Sequence, residues 1–195
     1  MTPSRRTFAT CLALTALMVA VATIGSALAQ EEEQWSPPKP TEQHKILQKD
    51  VGTWDAIVKL YPMEGAKPVK SKGVEKNELL KGGLWIVSRF EGAASGIPFT
   101  GVGAFGYDPV EKKYVGTWVD TMTPHLMVSK GDYDEKTKTM TLTGEGRHPD
   151  TGEIYESKQI SRYIDDDNRL FEFHIPGEDG KHWKMMEIEY KRRSE

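Results

Sequence analysis

The sequence predicts an all-β domain, a single up-and-down antiparallel barrel of about ten strands preceded by a short N-terminal helix. Three observations predict it. Ten strand-like segments follow one another, their connections are short and rich in turn residues, and no crossover helix separates them. Such a run of hairpins either closes into a barrel or leaves two exposed sheet edges. A barrel of this size is filled by side chains or holds one small ligand.

Residues 1–29 are predicted to be a cleaved export signal. A pair of arginines begins it, residues 12–27 form its apolar stretch, and residues 27–29 (Ala-Leu-Ala) form a small-residue cleavage site before Gln30. The apolar stretch is too short for a typical membrane span. We therefore expect a periplasmic or secreted protein with no membrane span after cleavage.

Two export routes are compatible with this segment. Residues 4–8 read Ser-Arg-Arg-Thr-Phe and resemble the twin-arginine box, which is typical of proteins exported in the folded state. The alternative is an ordinary secretory signal whose basic residues happen to be adjacent.

Composition excludes several classes of function. The only cysteine, Cys11, leaves with the signal, so disulfides, thiolate catalysis and Cys-bound metal are not expected in the mature protein. The formal net charge is −3, and lysine and glutamate are interspersed without a basic stripe. Nucleic acid is therefore not an expected partner.

A linker and a helix are predicted before the first strand. Residues 30–40 are rich in Glu, Gln and Pro and are typical of a disordered linker. The barrel domain is then assigned to residues 41–195. Thr41 is a suitable N-cap for a helix over 42–50, and Gly52 ends it.

Strand boundaries follow from runs of β-forming residues and from the turns between them. Asp108-Pro109 is one such turn, and residues 177–180 (Gly-Glu-Asp-Gly) are another. The ten predicted strands are 53–61, 69–80, 84–91, 97–107, 113–120, 125–133, 138–146, 153–165, 168–175 and 182–192.

Side chains alternate between two faces along each strand, and the fourth and fifth strands separate into unlike sets. The set that combines aromatic residues with glycine is predicted to point inward, because glycine eases curvature and leaves space for a ring or a ligand. It contains Phe99, Gly101, Gly103, Phe105 and Tyr107, followed by Tyr114, Gly116, Trp118 and Asp120.

The first strand carries a short motif. Gly52-Thr53-Trp54, directly after a short helix, resembles the G-x-W of the lipocalin and calycin superfamily. That resemblance implies a tryptophan packed near the barrel floor against a basic residue from the end of the barrel. Arg192 or Arg193 would supply that residue here, through a cation–π contact.

The rest of the chain, over roughly residues 42 to 192, resembles a domain-of-unknown-function family of exported bacterial proteins with a lipocalin-like barrel. The resemblance rests on residues 82–85 (Gly-Gly-Leu-Trp), 106–109 (Gly-Tyr-Asp-Pro) and 114–122, which begin Tyr-Val-Gly-Thr-Trp-Val-Asp. It implies a fold and no particular activity.

One motif that suggests nucleotide binding is rejected. Residues 101–106 match G-x-G-x-x-G, but the phosphate-binding version must open a helix, whose N–H groups hold the pyrophosphate. Here Tyr107-Asp108-Pro109 turns into another strand.

Two histidines support alternative functions. His125 opens the predicted sixth strand and His174 lies near the end of the ninth, so either is a candidate ligand for haem or a related porphyrin. Asp120 and His125 flank one hairpin loop and are candidates for a general-base pair in a small-ligand enzyme. A loop-bracing hydrogen bond is the simpler interpretation of that pair. No histidine spacing predicts a metal site.

The leading interpretation is a non-enzymatic binder that holds a small, largely apolar molecule in the barrel. No cofactor is implied by the residues apart from the haem alternative, and no catalytic motif such as G-x-S-x-G occurs. The predicted ligand-binding residues are Phe105, Tyr114, Trp118, Asp120, His125, Met127 and Arg162.

Overall fold

The protein folds as a closed antiparallel barrel with one short helix. The computed structural model describes residues 35–148 and 151–194, and the predicted export signal lies outside them. The elements are α1 (Glu42–Gln48), β1 (Gly52–Leu60), β2 (Val69–Leu79), β3 (Trp85–Ala94), β4 (Ile97–Asp108), β5 (Lys113–Asp120), β6 (Met127–Asp134), β7 (Thr139–Arg147), β8 (Ile154–Tyr163), β9 (Asn168–Pro176) and β10 (His182–Arg192).

Each strand pairs with its neighbours in sequence, and β1 pairs with β10 to close the ring. The seam between these two strands runs from Trp54 opposite Arg192 to Leu60 opposite Met186. The predicted fold class is therefore confirmed. One strand start is wrong in a way that matters for the site: β6 begins at Met127, so His125 lies in a loop.

The barrel has two unlike ends. At one end α1 covers the strands, and we call this the closed end. Leu47 of α1 is buried in one cluster with Ile86, Tyr114 and Met140, which come from three different strands. The opposite end, where the hairpin loops 61–68 and 121–126 lie, is called the mouth. No helix among the described residues is long and apolar enough to span a membrane.

The start of α1 is fixed by a local hydrogen-bond exchange. The Thr41 backbone N–H donates to Nδ1 of His44 at 3.0 Å, and the His44 N–H donates to the Thr41 carbonyl at 3.1 Å. Burial lowers the pKa of His44, which favours the neutral ring that can accept this bond. The predicted N-cap therefore fixes the helix that closes the barrel.

The inward faces of β4 and β5 are those predicted. Gly103 lies opposite Trp118, and Phe105 lies opposite Gly116, so the aromatic and glycine residues share one face of the two strands. Trp118 packs against a second buried cluster, whose members include Trp54, Phe90 and Ile188 of β10. That face is the inner wall of the barrel.

Candidate functional site

The candidate site is the barrel lumen from the middle of the strands to the mouth. Two separate clusters of buried hydrophobic residues line the interior instead of one continuous core. Several inward side chains remain partly exposed although the barrel is closed. These side chains are Phe99, Phe105, Trp118, Met127, Gln159, Ser161, Phe171 and Met186.

The inward glycines make room for aromatic rings, which is the first of the two alternatives in the sequence analysis. A Cβ atom at Gly103 would come within 2.9 Å of both the Phe105 and the Trp118 rings, and one at Gly116 within 2.7 Å of the Phe105 ring. Trp118 lies over Gly101 in the same way. The Phe105 and Trp118 rings therefore lie directly against the glycine backbone.

Asp120 fixes both the Trp118 ring and the mouth loop. Its Oδ2 accepts a hydrogen bond from Trp118 Nε1 at 3.1 Å. Its Oδ1 accepts from the backbone N–H groups of Met122 and Thr123, each at 2.8 Å. The carboxylate thus orients a lumen residue and braces the loop that follows.

The Asp120–His125 pair does not form. His125 is exposed in the 121–126 loop, and the hydrogen bonds of Asp120 go to Trp118, Met122 and Thr123. The predicted general-base pair is therefore absent from this structure, and a ligand-binding role for His125 at the mouth stays a prediction. The loop-bracing interpretation holds for Asp120, through partners other than His125.

Arg162 and His174 lie on the outer face. Arg162 is exposed and alternates with the inward residues Ser161 and Tyr163. His174 is paired with Lys158 across the outer face, and its Nε2 lies 3.2 Å from Glu172 Oε2. Neither side chain points into the lumen, so neither is placed beside a ligand held there.

Metal and haem chemistry find no support in the part of the chain that the structure describes. Among those residues, no group of three His, Cys, Asp or Glu side chains is placed to hold a metal ion. The two histidines within strands, His174 and His182, are both on outer positions, and His182 Nε2 contacts the Glu156 carbonyl at 3.1 Å.

Two other predicted residues line different parts of the lumen. Tyr114 is buried at the closed end, where its hydroxyl donates to the Gln43 carbonyl at 3.3 Å and its ring packs edge-on against Tyr107 and Tyr133. Met127 lies in the mouth half, and its Sδ accepts from Gln159 Nε2 at 3.1 Å. Tyr114 thus belongs to the floor and Met127 to the wall.

The floor beneath the lumen contains an ionic cluster that the sequence interpretation missed. Arg169 is 8% exposed and its guanidinium forms an ion pair with Glu75. It lies 4.7 Å from the centre of the Trp54 ring and 4.0 Å from that of Tyr190. A buried arginine of this kind needs carboxylate partners and ring faces together, since an unpaired buried charge is costly.

Trp54 lies between two arginines. Arg192 stacks on the ring at 4.1 Å from its centre and donates to the Val51 and Lys49 carbonyls at the end of α1. The predicted Trp54–arginine contact is therefore formed by Arg192. Arg193 instead pairs with Asp55 on the outside.

Two tyrosines complete the floor cluster. Tyr190 donates to Glu75 Oε2 at 2.7 Å, and Tyr163 donates to Asp50 Oδ2 at 2.8 Å. Burial raises the pKa of both phenols well above the usual range, and the adjacent carboxylates raise it further. Burial also raises the pKa of Asp50, while the nearby Arg169 opposes that shift.

We expect the protein to lose stability in alkaline solution because of these tyrosines. In the unfolded chain a phenol ionises near pH 10, whereas Tyr163 and Tyr190 stay protonated in the fold. The folded state then holds protons that the unfolded state releases, so the free energy of unfolding falls as pH rises above about 10. Urea unfolding at pH 8 and pH 11, with tyrosinate absorbance, measures this. Ionisation of all seven tyrosines in the folded protein at pH 11 would contradict it.

Comparisons with solved structures bear on the fold. The chain is similar to the S-type phycobiliprotein lyase CPES from Guillardia theta, with a TM-score of 0.52 and 11% identity over 80% of this chain and 94% of that one. A redesigned β-barrel matches with a TM-score of 0.37 and 14% identity, over 80% of this chain and all of that one. At these identities the likeness to the lyase concerns the fold.

No curated protein matches the sequence. A family model does match it, over residues 39–192, and the family is described as a protein of unknown function (DUF1579). The match spans the helix and all ten strands of the barrel. The chain therefore belongs to the DUF1579 family.

Proposed function

We propose that this protein is an exported small-molecule-binding protein that holds a largely apolar ligand in the barrel lumen, from the middle of the strands to the mouth. The observation that carries the proposal is the partial exposure of inward aromatic and aliphatic side chains in a closed barrel. A barrel filled by its own residues buries such side chains, whereas a binding cavity keeps them accessible.

The chemistry of the lumen favours a ligand without charge in its buried part. The Asp120 carboxylate already accepts hydrogen bonds from Trp118 and from the mouth loop. Arg169 and Glu75 neutralise each other in the floor. The polar groups that remain among the lining side chains are the amide of Gln159 and the hydroxyl of Ser161, which suit one or two hydrogen bonds with a neutral ligand.

The amino-terminal sequence supports export, so we place the site of action in the periplasm or outside the cell. Protein purified from its native compartment is expected to begin at Gln30 when the intact mass is measured. A bound molecule extracted from the same sample would identify the ligand, and a Soret band would indicate a porphyrin instead.

Filling the lumen should abolish binding. Ser161 points inward between Met140 and Phe171, so Ser161→Phe places a ring in the lumen. We expect affinity for Nile red, an uncharged apolar dye, to fall roughly tenfold or more, since a blocked pocket loses the buried contact area. Dye fluorescence in a titration measures this.

Arg162→Phe is the matched control, because it adds the same ring at the next position on the outer face. Its affinity should equal that of the wild type. A folded Ser161→Phe protein that binds Nile red as the wild type does would exclude the lumen as the site. Ser161→Leu makes the same test if the larger ring prevents folding.

A further inference from the structure

The wall of the barrel is incomplete between β6 and β7 on the mouth side. The ladder between these strands ends at Ser129 opposite Gly144. Beyond that point β6 starts with Met127, which pairs with β5, while β7 continues to Arg147, which pairs with β8. The two strands therefore separate toward the mouth, and we call this region the parted seam.

The seam between β8 and β9 also ends before the mouth, at Lys158 opposite His174. There, however, the first residue of β10 spans the gap, since His182 Nε2 meets the Glu156 carbonyl at 3.1 Å. No hydrogen bond of this kind crosses the parted seam among those found for the described residues. The end of the β8–β9 ladder is therefore bridged by a hydrogen bond, whereas the described residues form no such bridge at the end of the β6–β7 ladder.

The inner side of the parted seam carries few side chains. β7 presents Gly144 and Gly146 inward, and the ring of Tyr155 from β8 lies over Gly146, where a Cβ would meet its hydroxyl oxygen at 2.8 Å. Beneath β7, Gln159 reaches from β8 to Met127 of β6. The Tyr155 ring is therefore the main group between the seam and the lumen.

The outer side of the seam is a groove of about 540 Å³. Residues of both wall faces line it, with Val128 and Glu145 from the outer face and Ser129 and Tyr155 from the inner face. Val128 is 57% exposed and Ile154, on the far side of the groove, is 51% exposed. Charged residues also line the groove, namely Glu111, Lys130, Glu145 and Glu156, so the apolar part of an occupant would lie against Val128, Val115 and Ile154.

We infer that the parted seam is a lateral entry site, through which an uncharged apolar ligand passes from the groove past Tyr155 into the lumen. This rests on the proposed function and adds the route and the residues that control it. Glycines in β7 let the wall deform there at little cost in side-chain packing. Movement of one ring, Tyr155, would join the groove to the space beside Gln159 and Met127.

Locking the seam tests the inference. The mature chain has no cysteine of its own, so a pair introduced as Val128→Cys and Glu145→Cys can be joined by a short bifunctional thiol reagent. We expect the association rate of Nile red in stopped-flow fluorescence to fall roughly tenfold or more, as when binding must wait for a conformational change. Equilibrium affinity should change much less, because the lumen is intact.

The control pair is Thr141→Cys with Ile160→Cys, which are directly opposite on the outer face of the complete ladder between β7 and β8 and do not line the groove. Cross-linking it should leave the association rate unchanged. Equal rates for both cross-linked pairs would overturn lateral entry and favour the mouth.

Tyr155→Ala gives an independent measurement without a cross-link. Removal of the ring should speed both association and dissociation of Nile red, and an unchanged or slower association rate would also overturn the inference. If wild-type protein does not bind Nile red or any other uncharged apolar probe, the proposed function fails first. If the wild type binds Nile red, and the cross-linked and Tyr155→Ala proteins bind it at the wild-type rate, the proposed function stands and the route is wrong.

Discussion

Replacing Arg169 with methionine is expected to lower the free energy of unfolding by about 3–5 kcal/mol, the range for removing one partner of a buried ion pair. Methionine keeps most of the volume but leaves the Glu75 carboxylate buried without its cation, and removes the charge nearest to Asp50. Urea unfolding monitored by circular dichroism at neutral pH measures the loss.

Two further variants separate charge from packing. Arg193→Met removes an exposed arginine paired with Asp55 and should change stability little. Combining Arg169→Met with Glu75→Gln should recover part of the loss, because the uncompensated carboxylate is then absent. An Arg169→Met protein as stable as the Arg193→Met control would mean that the floor carboxylates are neutral or solvated.

Trp54→Ala is the second change with a large expected effect, a loss of about 3–5 kcal/mol. The side chain is 1% exposed, both Arg169 and Arg192 stack on it, and its Nε1 donates to the Asp50 carbonyl at 2.8 Å. Removing the side chain leaves a cavity and abolishes the cation–π contacts of Arg169 and Arg192 with the ring. Denaturant unfolding of the two proteins measures the difference.

Trp85→Ala is the matched control, since that tryptophan is 40% exposed and lies against Gly106 on the outer face. The free energy of unfolding should fall much less for Trp85→Ala than for Trp54→Ala. A loss below about 1 kcal/mol for Trp54→Ala, as at surface positions, would show that the motif at the start of β1 has no structural role.

The strands could be predicted from sequence because each is bounded by turn residues and because β4 and β5 alternate clearly. The same alternation placed Phe105 and Trp118 on the inner wall, where the structure has them. It gives no assignment at β8, whose inward set includes Ser157, Gln159 and Ser161. Because that set is polar, hydrophobicity does not indicate which face of β8 is inward, and Arg162, which was predicted to bind the ligand, lies on the outer face.

The ionic cluster could not be predicted because it depends on contacts between distant strands. Glu75 and Arg169 lie on β2 and β9, which do not pair. In the sequence, each looks like an ordinary charged residue that faces water, and only closure of β1 on β10 brings the two together.

The position of His125 was predicted wrongly for a local reason. The side chain of Asp120 holds the loop that contains His125, so β6 starts two residues later than predicted.

The order of strands in the barrel has a consequence for folding kinetics. Every pairing joins strands that are consecutive in sequence, except the one between β1 and β10. Hairpins form from local contacts, but this last pairing must bring together residues as distant as Trp54 and Arg192, and loop-closure entropy makes such contacts late. The Trp54, Arg169 and Glu75 contacts are complete only after that closure. We therefore expect substitutions among them to accelerate unfolding far more than they slow refolding.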